Sequence, residues 1–114
     1  MVAQESVLDD LAEPVDLDPV IHAVSRLRIM TALASLADDA TITFSRFRQV
    51  LGMTPGNLQA QLQTLAAAHY VALVQRGKGR GSTTWISITP LGRAAYEHYS
   101  RSMMALLDSS RLWP

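Results

Sequence analysis

The segment between Val71 and Ile88 constrains the fold of this chain most strongly. It reads VALVQR–GKGRGST–TWISI, two runs rich in β-forming residues around a tip in which glycines alternate with basic residues. Gly77, Gly79 and Gly81 allow a tight reversal, so the segment predicts a β-hairpin. Directly upstream, GMTPGNLQAQLQTLAAAHY has the signals of a turn followed by a helix. The sequence therefore predicts a helix that leads straight into a basic-tipped hairpin.

Two helices upstream of the hairpin are separated by a short interruption, which predicts a helix-turn-helix. Thr43 caps the first, whose buried side carries Phe44, Phe47, Val50 and Leu51, and Thr41-Ile42 precedes it as a short edge strand. Gly52 follows at a position where a left-handed residue commonly ends a helix. Thr54-Pro55 then opens a helix from Pro55 to about His69, with an inward stripe of Leu58, Leu62 and Leu65.

Longer amphipathic helices are predicted at both ends of this unit. Asp18-Pro19 starts the first, from about Pro19 to Ala37, because Asp accepts a cap hydrogen bond and Pro fits the first turn. Its apolar residues cover much of its circumference, which suits one internal and one external packing surface. Thr89-Pro90 caps the last helix, whose apolar side is Leu91, Ala95, Tyr99, Met103 and Leu106. The expected class is α+β, mainly α, with a two- to three-stranded wing sheet.

Charge is segregated along the chain, and the formal net charge of zero hides this. Every charged residue from Ala40 to Tyr96 is basic, whereas residues 1–18 contain no Lys or Arg but hold Glu5, Asp9, Asp10, Glu13, Asp16 and Asp18. With 114 residues and 48% hydrophobic content, the chain can bury one core. We divide it into an acidic arm (1–16), one domain (17–108) and a tail (109–114). The arm is interpreted as a solvated segment, as a competitor for the basic face, or as an extension of a dimer interface.

Several kinds of site lack the residues that they need. The chain has no cysteine, so disulfides, thiolate metal sites and a cysteine nucleophile are excluded. His22, His69 and His98 fall on different elements, so no metal, cofactor or catalytic group is expected. No apolar run approaches the roughly 20 residues that span a bilayer, and the acidic N-terminus is unlike a signal peptide. We expect a cytoplasmic protein that is not an enzyme.

The order of these segments resembles a known family. LDPVIHAVSRLRIMTAL, LGMTPGNLQAQLQTLAAAHYV, the hairpin and ITPLGRAAYEHY are similar to small winged-helix transcriptional regulators near the MarR (multiple antibiotic resistance) and ArsR (arsenical resistance) types, over about residues 17–107. GNL, the hydrophobic-Tyr-Val junction and the T-x-x-G-R motif are its most specific pieces. The resemblance implies a winged helix-turn-helix with N- and C-terminal dimerisation helices. The surplus apolar surface predicts the same interface, formed by Val20, Ile21, Val24, Leu27, Tyr99, Met103 and Leu106.

The chain departs from the family pattern at two places. Relatives usually have Gly where this chain has His69, which tolerates a left-handed backbone less well. Relatives often carry Ser and His or a basic residue where this chain has Gln59, Ala60 and Gln61, so their DNA sequence preference does not transfer.

A DNA-binding surface is predicted on the recognition helix (55–69), in the major groove, and on the wing (76–83), on the backbone or in the minor groove. The helix N-terminus favours a phosphate oxygen, carboxamides can pair with adenine in two places, and Ala60 or Thr64 can contact a thymine methyl. The predicted contacts are Arg46, Arg48, Thr54, Gly56, Asn57, Gln59, Ala60, Gln63, Thr64, Arg76, Lys78, Arg80 and Ser82.

We therefore predict a homodimeric, sequence-specific DNA-binding transcriptional regulator. Its partners are double-stranded DNA, a second copy and an effector, if one exists, in the cleft between the dimer helices and the DNA-binding lobe. The alternative is a winged-helix module that binds another protein, which the uncharged recognition helix favours. Ordinary explanations stay open too. The amides can be the usual surface residues of a soluble helix, the basic hairpin tip can serve solubility alone, and the surplus apolar stripe can cover the back of the hairpin.

Overall fold

Within residues 17–108, four helices and a three-stranded antiparallel sheet make up the fold, as predicted for the class. A computed structural model describes residues 17–108; the predicted arm (1–16) and tail (109–114) lie outside these residues. In chain order the elements are α1 (Val24–Ala34), β1 (Ile42–Thr43), α2 (Phe44–Leu51), α3 (Pro55–Ala67), β2 (Val71–Arg76), β3 (Thr83–Ile88) and α4 (Pro90–Asp108). One turn of 3-10 helix, Gly79–Gly81, forms the hairpin tip.

The first helix is shorter than predicted at both ends. Asp18 caps a separate turn: its Oδ1 accepts from the Val20 amide at 2.9 Å, and its carbonyl accepts from the His22 amide at 2.7 Å. Ala23 is extended, with φ −149° and ψ 133°, so the helix begins only at Val24. The predicted helix from Pro19 to Ala37 is therefore a turn, a break and a helix that ends at Ala34.

The helix-turn-helix is confirmed, together with its caps. Thr43 Oγ1 accepts from the Arg46 amide and Thr54 Oγ1 accepts from the Asn57 amide, both at 3.2 Å. Gly52 is left-handed, with φ 65°, and ends α2. The chain then turns into α3 after the three residues 52–54.

The sheet has the order β1-β3-β2, and its register decides which side chains face α3. Leu73 pairs with Ile86 and Gln75 with Thr84 on one face, while Val74 pairs with Trp85 on the other. The predicted edge strand at Thr41-Ile42 exists as Ile42–Thr43, paired with β3. The wing therefore presents one face to the helices and one to the outside.

The core lies between α1, α2, α3, α4 and the inner face of the sheet. The predicted stripe of Leu58, Leu62 and Leu65 is confirmed, with exposures of 0%, 2% and 0%. Val50 and Leu91, predicted on inward sides, are 54% and 55% exposed. Each lies next in sequence to a buried residue, Leu51 or Gly92. Neighbouring residues of a helix point about 100° apart, so Val50 and Leu91 face solvent. The buried apolar residues are Ile21, Ile29, Met30, Leu33, Phe47, Leu51, Met53, Leu58, Leu62, Leu65, Val71, Ile86, Ile88 and Tyr99.

The junction between α3, β2 and α4 is tight. His69 is left-handed, with φ 64°, so the strain expected at this position is present. Thr89 Oγ1 donates to the His69 carbonyl at 2.6 Å and accepts from the Gly92 amide at 2.9 Å. A Cβ on Gly92 would lie 2.0 Å from the Tyr70 carbonyl oxygen. The T-x-x-G-R motif therefore has a structural role: it caps α4 and lets α4 approach the Tyr70 backbone.

Arg93, the last residue of this motif, holds the end of α1. Its Nη1 donates to the Ala34 carbonyl at 3.1 Å, and its Nε lies 3.3 Å from Asp38 Oδ1. Arg93 therefore belongs to the internal packing of α1 against α4, although its sequence position groups it with the basic residues of the wing.

Candidate nucleic-acid interface

The exposed side of α3 carries small and amide side chains and no charge. Its exposed residues include Gly56, Asn57, Gln59, Ala60, Gln63 and Thr64, all predicted contacts, opposite the buried leucines. A Cβ on Gly56 would meet no atom within 4 Å, so the helix surface is open there. The exposed Thr54 cap and Pro55 begin the helix; because Pro55 has no N–H and the Asn57 amide donates to Thr54, the Gly56 amide is the free donor of this first turn. A flat, uncharged surface of this kind permits close approach of a polar partner.

The wing carries three exposed cations on a short tip. Arg76 ends β2, and Lys78 and Arg80 lie between glycines, of which Gly77 and Gly79 have φ values of 96° and 57°. None of the three cations forms an ion pair within residues 17–108. Their charges are therefore available to an anionic partner.

Ser82, also a predicted contact, is half-buried in the wing. Its Oγ accepts from Gln75 Nε2 at 3.0 Å, which joins the two sides of the hairpin just below the tip. The hydroxyl therefore has a structural partner as well as a place on the predicted surface.

A groove of about 330 Å³ lies between α3 and the sheet, at the base of the wing. Gln59 and Gln63 of α3 line one wall, and Leu73, Gln75 and Thr84 of the sheet line the other. Gln75 and Thr84 were not predicted as contact residues, although the period-two alternation of the strands places them on the same face as Leu73. The exposed side of α3 and the neighbouring face of the sheet thus form one continuous surface.

No acidic residue lies on α2, α3 or the sheet. Arg46 is exposed on α2 and Arg48 is half-buried there, so cations occupy α2 as well as the wing tip. The carboxylate of Asp18, in the turn before α1, accepts a hydrogen bond from the Tyr70 hydroxyl. This hydrogen bond, with burial and the negative charge, raises the pKa of Tyr70 to about 12. The surface therefore has uncharged amides on α3, with cations on α2 and the wing.

A family model described as a winged helix DNA-binding domain matches residues 25–107, which is most of the chain and includes all of this surface. The chain belongs to the winged-helix DNA-binding family. The predicted resemblance is thereby confirmed, and the match spans both helices of the helix-turn-helix, α2 and α3.

Solved structures of transcriptional regulators share the fold. The transcriptional regulator homologue protein from Pyrococcus horikoshii OT3 has a TM-score of 0.71 at 23% identity, over 95% of this chain and 96% of that one. AbsC, a MarR family transcriptional regulator from Streptomyces coelicolor, has 0.64 at 15%, over 98% and 72%. A mutant MarR from E. coli, solved with operator DNA, has 0.62 at 17%, over 94% and 73%. No match was found among curated protein sequences. The fold is thus MarR-like.

The residues predicted at a dimer interface of the winged-helix domain fall into two groups. Ile21 and Tyr99 are 0% and 2% exposed because the chain's own core covers them. His22 Nδ1 also lies 2.9 Å from the Tyr99 hydroxyl, which fixes the ring. These two residues therefore belong to the core and offer no surface to a second chain in this conformation. Val24 is 78% exposed, and Val20, Leu27, Met103 and Leu106 are half-buried.

On the other side of the winged-helix domain, an open cavity of about 590 Å³ lies between the α1–β1 connection, β3 and the start of α4. Asp38, Asp39, Arg93 and Glu97 are its charged residues. Across residues 17–108, no three His, Asp or Glu side chains converge as a metal site would require. No helix in the same part of the chain is long and apolar enough to cross a membrane.

Proposed function

We propose that this chain is a homodimeric, sequence-specific transcriptional regulator that acts in the cytoplasm. In this proposal α3 enters the major groove of double-stranded DNA and the wing (76–83) lies on the backbone or in the adjacent minor groove. The observation that carries the proposal is the groove between α3 and the sheet at the base of a wing whose three exposed cations form no ion pair within residues 17–108.

The recognition helix suits the major groove because nothing on its exposed side repels phosphate. The Gly56 amide and the helix dipole favour a phosphate oxygen at the N-terminus of α3, beside Thr54. Asn57, Gln59 and Gln63 carry carboxamides, which match base edges, and Ala60 or Thr64 can contact a thymine methyl. Sequence preference therefore resides in amide side chains, whereas charge resides elsewhere.

The wing and α2 supply affinity without sequence preference. Arg76, Lys78 and Arg80 are unpaired on the described surface and lie on a glycine-rich tip that can follow a narrow groove. Arg46 and Arg48 reach the flanking backbone from α2. Roughly four to five phosphate contacts per subunit give binding a steep salt dependence.

A homodimer explains apolar side chains that the chain leaves exposed. Val24 at the start of α1 is 78% exposed, and Met104 near the end of α4 is 63% exposed. Association through these helices would place two copies of α3 about one DNA turn, roughly 34 Å, apart. We therefore expect an operator made of two inverted half-sites.

The double variant Lys78→Ala/Arg80→Ala tests the wing. Each lost phosphate contact lowers the slope of log K against log salt by about 0.9, so the loss of four contacts per dimer lowers it by about 3 to 4. Fluorescence anisotropy with a random-sequence duplex over a salt series measures this slope. Arg101→Ala removes an exposed cation on α4 and is the matched control; it should leave the slope unchanged.

A protein partner is the second candidate function, because the exposed side of α3 carries no charge. The same salt series separates the two functions. If the wild-type chain does not bind duplex DNA at low salt, the regulator proposal fails and an acidic protein is the expected partner of the wing. If the double variant and Arg101→Ala reduce the slope of log K against log salt by the same amount, the wing has no special role in DNA binding.

A further inference from the structure

Arg26 of α1 connects the N-terminal turn to the exposed side of α3. Its Nη1 donates to Gln61 Oε1 at 2.9 Å, while its Nε and Nη2 donate to the carbonyls of Val20 and Pro19. Gln61 Nε2 in turn donates to Asn57 Oδ1 at 3.2 Å. Three side chains thus form one hydrogen-bonded series, the amide relay (Arg26, Gln61, Asn57), which ends at a predicted base-contacting residue.

The amide relay has one consistent polarity. A guanidinium has only donors, so Gln61 must turn its oxygen toward Arg26 and its amino group toward Asn57. Asn57 must then accept with Oδ1, and its Nδ2 amino group points away from Gln61. An amide alone could face either way, but a donor-only group at the start of the series fixes both amides.

The first member of the relay is itself held in place. Arg26 is half-buried and binds two backbone carbonyls of the turn before α1. Asp18 stabilises that turn by accepting from the Val20 amide at 2.9 Å. Asn57, by contrast, is exposed. The relay thus runs from a fixed backbone anchor to a side chain that is open to a partner.

We propose that Arg26 and Gln61 are positioning residues that make Asn57 a hydrogen-bond donor to guanine. The inference rests on the proposed function, in which α3 lies in the major groove. There guanine presents two acceptors, N7 and O6, thymine presents one acceptor, O4, adenine presents an acceptor and a donor, and cytosine presents a donor. Because the bond from Gln61 holds Oδ1 toward Gln61, the Asn57 amino group is the part that faces a base. Its two N–H donors match the two acceptors of guanine, in place of the two-point pairing with adenine that a freely turning carboxamide makes.

Selection of bound sequences from a random duplex pool tests the proposal. The wild-type chain and Asn57→Ala are selected in parallel, and the base position at which Asn57→Ala loses preference is the Asn57 position. We expect guanine there in the wild-type selection, preferred over adenine on the order of tenfold, which is typical of a good base contact.

Gln61→Glu should invert this preference. A carboxylate only accepts, so it still binds Arg26 but draws the Asn57 amino group toward itself, which turns Oδ1 outward. The preferred base then changes to one that offers an amino group, cytosine or adenine. Gln49→Glu adds the same charge at an exposed position on α2 and should weaken binding while guanine stays preferred.

Arg26→Met removes the donor at the start of the relay and adds no negative charge. Gln61 is then free to turn either way, so we expect the guanine preference at the Asn57 position to fall severalfold toward adenine. Arg26→Lys keeps a donor-only cation and should restore guanine. Thermal unfolding followed by circular dichroism checks that each variant is folded before selection.

The outcomes separate this inference from the proposed function. The inference is wrong if Gln61→Glu and Arg26→Met both keep the wild-type preference, if the wild-type chain prefers adenine at the Asn57 position, or if Asn57→Ala changes no position. If the wild-type chain binds no duplex DNA at low salt, the proposed function fails and this inference fails with it. Duplex binding with an unchanged preference overturns the inference alone.

Discussion

At the scale of single residues, His69 combines a left-handed backbone with a Cβ. Its φ is 64°, a region that costs a non-glycine residue roughly 1–2 kcal/mol. Its amide donates to Ala66 and its carbonyl accepts from Thr89, so the surrounding structure enforces this conformation. We expect His69→Gly to raise the free energy of unfolding by about 1 kcal/mol, after allowance for the greater freedom of unfolded glycine.

Urea denaturation measures this change, and the preceding residue is the matched control. Ala68 has φ −84°, an ordinary helical value, so Ala68→Gly should lower the free energy of unfolding by roughly 0.5–1 kcal/mol. If both glycine substitutions destabilise the protein, the backbone at His69 is not strained in solution.

Tyr70 predicts a dependence of stability on alkaline pH. Its hydrogen bond to Asp18, with burial and the adjacent negative charge, raises its pKa from 10.0 to about 12. Folding favours the protonated phenol, so its stabilising effect is complete below pH 10 and is lost as the pH rises to about 12. Urea midpoints across this range should fall less steeply for Tyr70→Phe than for the wild type. Tyr96→Phe, which removes a hydroxyl that donates to Thr31, is the control. Its urea midpoints should fall with pH as steeply as those of the wild type.

At the scale of elements, the contact of α4 with the α3–β2 junction depends on Gly92. A Cβ there would lie 2.0 Å from the Tyr70 carbonyl oxygen, and backbone must move to relieve the clash. We expect Gly92→Ala to lower the free energy of unfolding by about 3 kcal/mol, the upper end of ordinary overpacking costs. Gly56→Ala is the control, because a Cβ there meets nothing within 4 Å and should change stability little or raise it. Equal destabilisation by both in urea denaturation would contradict this account of the junction.

Local signals predicted the elements where capping and periodicity agree. Thr43, Gly52 and Thr54 identify the helix-turn-helix from sequence because each acts on residues within one turn of itself. The break at Ala23 has no such signal, since alanine favours a helix. Nearby, Ile21 is fully buried and Arg26 binds the Val20 carbonyl, so long-range packing accompanies the break.

The same difference between local signals and long-range contacts applies to the candidate site. The wing cations and the exposed amides of α3 could be predicted, because glycine spacing and helical periodicity are local properties. The relay from Arg26 to Gln61 joins residues 35 positions apart, so no local pattern reveals it. Tyr99 is a second case in which local sequence is not enough. Helical periodicity places it on the apolar side of α4, but only the packed structure shows that this side contacts the chain's own core.

At the scale of the whole molecule, the exposed apolar start of α1 predicts a dimer. We expect analytical ultracentrifugation to give twice the 12.5 kDa mass of one chain. Val24→Asp should give single chains, because it places a charge at a residue that is 78% exposed in one chain and buried in the proposed interface. Val50→Asp makes the same change on α2 and should leave the dimer intact. A wild-type mass of one chain at micromolar concentration would exclude this assembly.

If α2, α3 and the wing bind the DNA backbone as proposed, affinity must depend on salt. Titration of the wild-type chain with a random-sequence duplex at increasing salt tests it most directly. With four to five phosphate contacts per subunit, log K should fall linearly with log salt at a slope between about −7 and −9 for a dimer. The absence of binding at low salt, or binding that does not change with salt, would contradict the account.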